Sequence, residues 1–356
     1  MTKQLFHTIK GASKAFFTAG CVLGATNIYA SDTFTLTAAK LNIALKNTSV
    51  SGLSSGGYMA TQFQLAHSQS IIGAGIVGAG PYYCANNDIG TALAHCVTKT
   101  SENLTIAPLL ATYKELQAAG KLSPSNALKD DRVVIIHGTK DTTVNRRAAD
   151  MLVEQYRAWL PDDQIEYIDQ MPFAHTFPTL VKGTDCAISQ PPYIGSCNYD
   201  AAGSILNGIY KDLNAPAQQA VDDVQNAIAA QYLSQTLDIS ELVDLSGSSI
   251  ADSAYIYIPA TCKEGQQCNL HISFHGCNQS AEDVKSSYAD MSGFNRWAQT
   301  NDMIILYPQV KKSLFMPLNP QGCWDWWGYT DNNYANKDGK QINVIYQLMQ
   351  RLGNVS

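Results

Sequence analysis

Charge is scarce in this 356-residue chain. Asp, Glu, Lys and Arg make up 15% of it, against roughly 25% in an average soluble domain. No basic run occurs and the formal net charge is −6, which argues against nucleic acid as a partner. Beyond the N-terminus no apolar stretch approaches the ~20 residues that span a bilayer, so no stable membrane insertion is expected. No Cys-x-x-Cys or His-Glu-x-x-His spacing exists, so no metal is expected, and nothing calls for another cofactor. Repeats and low-complexity linkers are absent too, and residues 31–356 read as one domain.

The N-terminus has the layout of a secretory signal. Lys3, Lys10 and Lys14 precede a short apolar run, Ala15 to Ala25, and Ile28-Tyr29-Ala30 ends in a small-residue cleavage site. Loss of residues 1–30 would take the charge from −6 to −9. The expected location is secreted, extracellular or periplasmic. Nine cysteines are present, and Cys21 falls in the signal. The other eight suggest disulfides in an oxidising compartment. Cys84 with Cys96, Cys186 with Cys197, and Cys262 with Cys268 are sequence neighbours that bracket turn-rich segments. Cys277 and Cys323 would then form a longer bridge. Eight cysteines can pair in many ways, so this connectivity rests on proximity alone.

Strand-like and helix-like segments alternate. Strands are expected at Ile71–Val77, Arg132–His137, Gln164–Ile168, Ala254–Ile258, Asn269–Phe274 and Met303–Tyr307. Helices are expected at Tyr58–Ala66, Leu104–Ala119, Arg146–Trp159, Ala215–Leu237, Ala281–Thr300 and Gln341–Leu352. Continuous Val/Ile/Leu strands between helices predict an α/β fold with a mainly parallel central sheet covered on both faces.

Gly52-Leu53-Ser54-Ser55-Gly56 is a Gly-x-Ser-x-Gly sequence between an extended segment and a helix, the setting of a nucleophile elbow. A serine hydroxyl attacks only when a base takes its proton, and that base is usually a histidine oriented by a carboxylate. After Ser54, Asp141 follows the strand ending at His137, and His175 follows the next strand. Ser, Asp, His is the chain order of the α/β-hydrolase triad. Taken singly, Asp141 is also a plausible turn or cap, and His175 a surface-loop residue. His137 precedes the acid, His271 lies within a strand, and His67 and His95 sit in a helix and a cysteine loop.

The tetrahedral intermediate of such an attack on a carbonyl also needs two N–H donors for its oxyanion. Ser55 supplies one as the residue after the nucleophile. The other normally comes from a His-Gly loop ahead of the elbow, but here Phe274-His275-Gly276-Cys277 lies far behind it. A circular permutation accounts for this displacement, and it makes Cys277 the second donor.

These segments, with His137-Gly138-x-x-Asp141-x-x-Val144, Ala174-His175-Thr176-Phe177-Pro178 and Gly322-Cys323-Trp324-Asp325-Trp326-Trp327-Gly328-Tyr329, resemble the secreted single-domain poly(3-hydroxybutyrate) depolymerases. Those have a circularly permuted α/β-hydrolase fold, and the likeness runs from about residue 40 to about 350. It implies Ser54 as nucleophile, His175 as base, Asp141 as the orienting acid and Ser55 and Cys277 as donors. It also implies a tryptophan in the substrate crevice, matched to Trp324. An uncharged polyester, or its hydroxyacid oligomers, would be held by apolar and aromatic surface, so Trp326 and Trp327 are further candidates. A monomer is expected. Many extracellular depolymerases carry a separate polymer-binding domain, and none is seen after the last helix of this chain. Rival readings are a feruloyl or acetyl-xylan esterase with the same triad and a different crevice, and a non-catalytic binding protein on a hydrolase scaffold.

Overall fold

A computed structural model describes residues 33–34, 41–98, 100, 104–180, 182–216 and 230–353. The expected signal sequence and Cys21 lie outside them. The strands, in chain order, are β1 (Thr33–Phe34), β2 (Asn42–Leu53), β3 (Ile71–Val77), β4 (Arg132–Ile136), β5 (Ile165–Ile168), β6 (Phe177–Thr179), β7 (Thr184–Asp185), β8 (Ile194–Ser196), β9 (Gln235–Asp238), β10 (Ser253–Tyr257), β11 (Gln267–Phe274) and β12 (Met303–Tyr307). The main sheet runs β1-β9-β10-β12-β11-β2-β3-β4-β5, and a small one runs β6-β8-β7. From β12 through β5 every pairing is parallel, while β10 runs antiparallel to both its neighbours. The described residues form one compact unit by their contacts.

Each face of the sheet has its own core. On one, α1 (Ser55–His67) and the C-terminal helix Lys340–Gly353 bury residues such as Met59, Phe63, Ile345 and Leu348. On the other, Ala201–Tyr210 and Phe294–Thr300 bury Ile205, Leu206, Phe294 and Trp297. The glycines of β3 set the approach on this second face. A Cβ at Gly75 would stand 2.4 Å from Ile205 Cγ2, and one at Gly73 would stand 2.8 Å from Ile209 Cγ2. The helix Ala201–Tyr210 therefore lies closer to the sheet than side chains there would allow.

β2 and β11 are neighbours in space although more than 200 residues separate them in sequence. Their seam carries a buried polar cluster. Ser49 Oγ and Ser51 Oγ lie 2.6 and 2.8 Å from His271 Nδ1 and Nε2, and Ser51 Oγ donates to Ser273 Oγ at 3.2 Å. Ser273 Oγ meets the Tyr288 hydroxyl at 2.9 Å. Burial pushes the His271 imidazole down to about 3, so the ring is neutral and offers one donor and one acceptor. One serine accepts from it and the other donates to it.

Several expectations are corrected. The stretch Ala281–Thr300 is three short helices, Ala281–Val284, Ser287–Met291 and Phe294–Thr300. The breaks fall at Lys285 and Gly293, whose φ angles are 55° and 98°. The end of the expected helix Ala215–Leu237 is a 3₁₀ turn at Ala230–Tyr232 followed by β9; its middle lies outside the described residues. Short elements also went unforeseen, among them the helices Ile89–His95 and Ala201–Tyr210, the small sheet and β9. Disulfides join Cys84 to Cys96, Cys186 to Cys197, Cys262 to Cys268 and Cys277 to Cys323. Among the described residues no helix is long and apolar enough to cross a membrane.

Asp131, which leads into β4, is buried, and Gln64 Nε2 donates to its carboxyl at 2.9 Å. Burial nevertheless pushes its pKa up to about 8, with Asp130 adding to the rise. An unfolded Asp ionises near ~4. The folded state therefore holds the proton more tightly, and this stability is full below ~4 and is lost as the pH rises towards 8. Asp131→Asn should raise Tm by a few degrees at pH 8, and the gain should vanish near pH 4. Thermal melts across that range test this.

Candidate active site

β2 ends at Leu53 and α1 begins at Ser55, so Ser54 must turn the chain within one residue. It does so at φ 57° and ψ −120°, a strained conformation for a residue with a Cβ. Its amide donates to Val77 O on β3 at 2.8 Å. The flanking glycines make the turn possible. A Cβ on Gly52 would come within 2.2 Å of the Gly56 carbonyl, and a Cβ on Gly56 would come within 2.2 Å of Phe274 O and 2.6 Å of His275 O. The elbow is thus pressed backbone to backbone against the end of β11.

Past the ends of β4 and β5 stand Asp141 and His175. His175 Nδ1 lies 2.7 Å from Asp141 Oδ2, while Asp141 Oδ1 accepts from the Thr143 and Val144 amides at 2.8 and 2.9 Å. Burial alone would raise this carboxyl, but the charge and hydrogen bond of His175, the Val144 amide and nearby His137 outweigh it. The carboxyl therefore lies below its ordinary range, ionised and able to orient the imidazole. Gly78, at φ 57°, forms the floor of the pair; a Cβ there would sit 3.1 Å from the His175 ring. Ser189 Oγ donates to His175 O at 3.0 Å. Ser54 and His175 face one cavity of about 350 Å³. No hydrogen bond joins them among the described residues, a gap of the kind that commonly closes when substrate binds.

The loop after β11 borders the same cavity. His275 is fully buried, and burial lowers its pKa to about 4. The Val310 amide donates to its Nε2 at 3.3 Å, which leaves the proton on Nδ1 to be donated to Gly276 O at 2.7 Å. The carbonyl and the N–H of one trans peptide point in opposite directions. Holding Gly276 O inward therefore turns the Cys277 N–H outward. Neither the Cys277 amide nor the Ser55 amide, the first of α1, has a hydrogen-bond partner among the described residues. Both residues line the cavity, and the Ser55 amide adds the positive end of the helix.

The three tryptophans divide. Trp324 is fully buried against Phe274 and His275 and is not on the cavity wall, contrary to its expected place in the crevice. Its backbone N–H donates to Ser55 Oγ at 3.3 Å. Trp326 and Trp327 do line the cavity, and Trp326 stacks on Tyr58 with ring centroids 4.4 Å apart. Asp325, between Trp324 and Trp326, was not singled out from the sequence. Its buried carboxylate accepts from the amides of Trp327, Gly328, Tyr329 and Thr330 and from the Thr330 hydroxyl. That single side chain folds the loop that presents the indoles. Only the oddity of an acid among tryptophans could have flagged it.

No family model matches the chain. Among curated proteins, the poly(3-hydroxybutyrate) depolymerase of Delftia acidovorans is 31% identical over 347 residues, which cover 97% of this chain and 65% of that protein. The polyhydroxybutyrate depolymerase of Talaromyces funiculosus is 32% identical over 324 residues, 87% of this chain and 91% of that one. Among solved structures, a PHB depolymerase with a serine-to-alanine substitution, complexed with an R3HB trimer, matches with a TM-score of 0.79 and 30% identity over 90% of this chain and 99% of that one. The PHB depolymerase from Penicillium funiculosum matches with a TM-score of 0.78 at the same identity and coverage.

The elbow contact can be tested directly. Gly56→Ala should cost about 3 kcal/mol or more, because its methyl meets backbone that cannot move aside. Gly90→Ala is the tolerated control, since that Cβ meets only the end of the Asp88 side chain. Equal melting temperatures for the two variants would refute the contact.

Proposed function

We propose that this chain, which belongs to the poly(3-hydroxybutyrate) depolymerase family, is a secreted serine esterase that cleaves ester bonds between 3-hydroxyacyl units. Residues 31–356 act as its one catalytic domain. The observation that carries the reading is the meeting of Ser54, the His175–Asp141 pair and two unsatisfied amides around one cavity.

In the proposed mechanism Ser54 Oγ attacks the ester carbonyl carbon while His175 Nε2 takes its proton. The Asp141 carboxylate holds the ring through Nδ1 and stabilises the imidazolium. The carbonyl oxygen becomes an oxyanion that accepts hydrogen bonds from the Ser55 and Cys277 amides. As the intermediate collapses, His175 protonates the departing 3-hydroxyl and an acyl-enzyme remains. Water, deprotonated by His175, then attacks the acyl carbon, and Ser54 is released with its proton restored.

The cavity wall supports an uncharged, apolar substrate. Trp326, Trp327, Leu53 and Val97 line it, and Ile89 and Leu93, both largely exposed, stand on it too. A loop closed by paired bonds between Ser313 and Asn319 exposes Leu314, Phe315, Met316 and Leu318, with Phe315 and Met316 83% and 88% accessible. Just beyond it, Gln321 and Cys323 return to the wall. So much adjacent apolar surface suits contact with a solid polyester. The four disulfides support the secreted location.

Ser54→Ala should abolish release of 3-hydroxybutyrate from soluble trimer and from polymer suspension while Tm holds; retained hydrolysis would refute the assignment. Asp141→Asn should lower kcat by about 10⁴-fold. Ferulate or acetate release from plant polysaccharide in preference to clearing of the polyester would replace the substrate class.

The exposed loop and the chemistry are separable by mutation. Phe315→Ser with Met316→Ser should slow hydrolysis of suspended polymer several-fold and leave trimer hydrolysis within twofold. Parallel loss on both substrates would count against a polymer contact at this loop.

A further inference from the structure

Gln279 is almost completely buried at the back of the cavity, and all its polar atoms are engaged. Its Oε1 accepts from the Gly276 amide at 2.7 Å. Its Nε2 donates to Pro192 O at 2.8 Å and to Tyr193 O at 3.1 Å. One end therefore grips the peptide next to the Cys277 amide. The other end grips the segment that supports His175. In that segment Ser189 donates to His175 O, and Tyr193 O also accepts from the Phe177 amide at 2.9 Å, two residues past His175. Ser189 and Tyr193 are both cavity residues.

Among the described residues no other hydrogen bond joins the 275–279 loop to the 189–193 segment. His275 fixes the rotation of the Gly276–Cys277 peptide through its carbonyl, but it is tied to Val310, on the far side from His175. The Asn278 amide is tied to Gln321 O. Gln279 is thus the direct link between the oxyanion donor and the loop of the general base. A side-chain amide suits the place because it is acceptor and donor on one rigid plane, and both ends here meet backbone groups of the matching kind.

Resting on the serine-esterase reading above, we infer that Gln279 is a positioning residue that holds the Cys277 amide in register with His175. It touches no substrate. It acts on the transition state, because a tetrahedral oxyanion needs its donors and the imidazole placed together, whereas ground-state binding to the apolar wall does not.

The test is steady-state kinetics on p-nitrophenyl butyrate with Gln279→Met, which keeps the side chain's length and removes both polar ends. Expected is a fall in kcat on the order of 10- to 100-fold, short of the roughly 10²–10³-fold that follows loss of an oxyanion donor itself, with KM within twofold. Affinity for an alkylboronic acid, a tetrahedral mimic, should fall by the same factor as kcat. Ser189→Ala removes this segment's direct bond to His175 O, so the loss in the double variant should be less than the sum of the two single losses in free energy. Should Gln279→Met not fold, Gln279→Asn, too short to span the gap, is used in the same cycle. Wild-type kcat in a folded Gln279 variant, lowered Tm or not, overturns the proposal, as do additive losses in the double variant. Ser54→Ala, run alongside, keeps the two readings apart. Activity in that variant overturns the esterase reading, whereas an inactive Ser54→Ala with an unaffected Gln279 variant overturns only the role of Gln279.

Discussion

Everything at this site depends on how closely two backbones approach, the turn at Gly52–Gly56 and the end of β11 at Phe274–His275. The separation leaves no room for a methyl group at Gly56. Because the contact is backbone on backbone, no rotamer change can relieve or loosen it. It sets Ser54 beside the Gly276 loop, where a Cβ at Gly276 would lie 3.5 Å from the Ser54 Cβ. It also aligns the start of α1 with the Cys277 amide. Burial of His275 and Gln279 then fixes the orientation of the peptides that the contact brings together.

Among the polar groups buried in this fold, five form one continuous strip. Ser49, Ser51, His271, Ser273 and Tyr288 run along the seam between β2 and β11, directly behind the elbow. Valine or isoleucine would pack there with less penalty. A matched polar row instead admits only one register, since a slip of one residue would strand every partner. The seam thereby fixes the register of β2 against β11, the one pairing that brings Ser54 and Cys277 to the same end of the sheet.

Much of this was legible beforehand, for identifiable reasons. Ser54, Asp141 and His175 stand out because each follows a strong hydrophobic strand and their chain order is distinctive. Three of the cysteine pairs are close neighbours, where proximity is a good guide because the bridges clip local loops, and Cys277 and Cys323 are the two left over. Trp324 was misplaced because a motif names residues that cluster without saying which face the cavity; here 324 packs wholly into the core, while 326 and 327 border the cavity. The stretch 281–300 has helical composition, but left-handed turns at Lys285 and Gly293 break it, and a non-glycine residue in that conformation gives no local warning. Gln279 reaches Pro192 and Tyr193, distant in sequence, and no local pattern records such partners; Asp325 binds the amides of 327–330, a local turn masked by the tryptophans around it.

The displaced order of the strands has a temporal side. β11 and β12, which flank the elbow strand on one side, lie more than 200 residues downstream of it, so a growing chain that has already emitted Ser54 has no seam to close and no second amide. The long-range pairing that completes the sheet belongs to the last stage of synthesis, and such pairings form slowly. An esterase built in this order stays inert until nearly its whole length is available. That delay is written into topology, in the order in which the strands leave the ribosome.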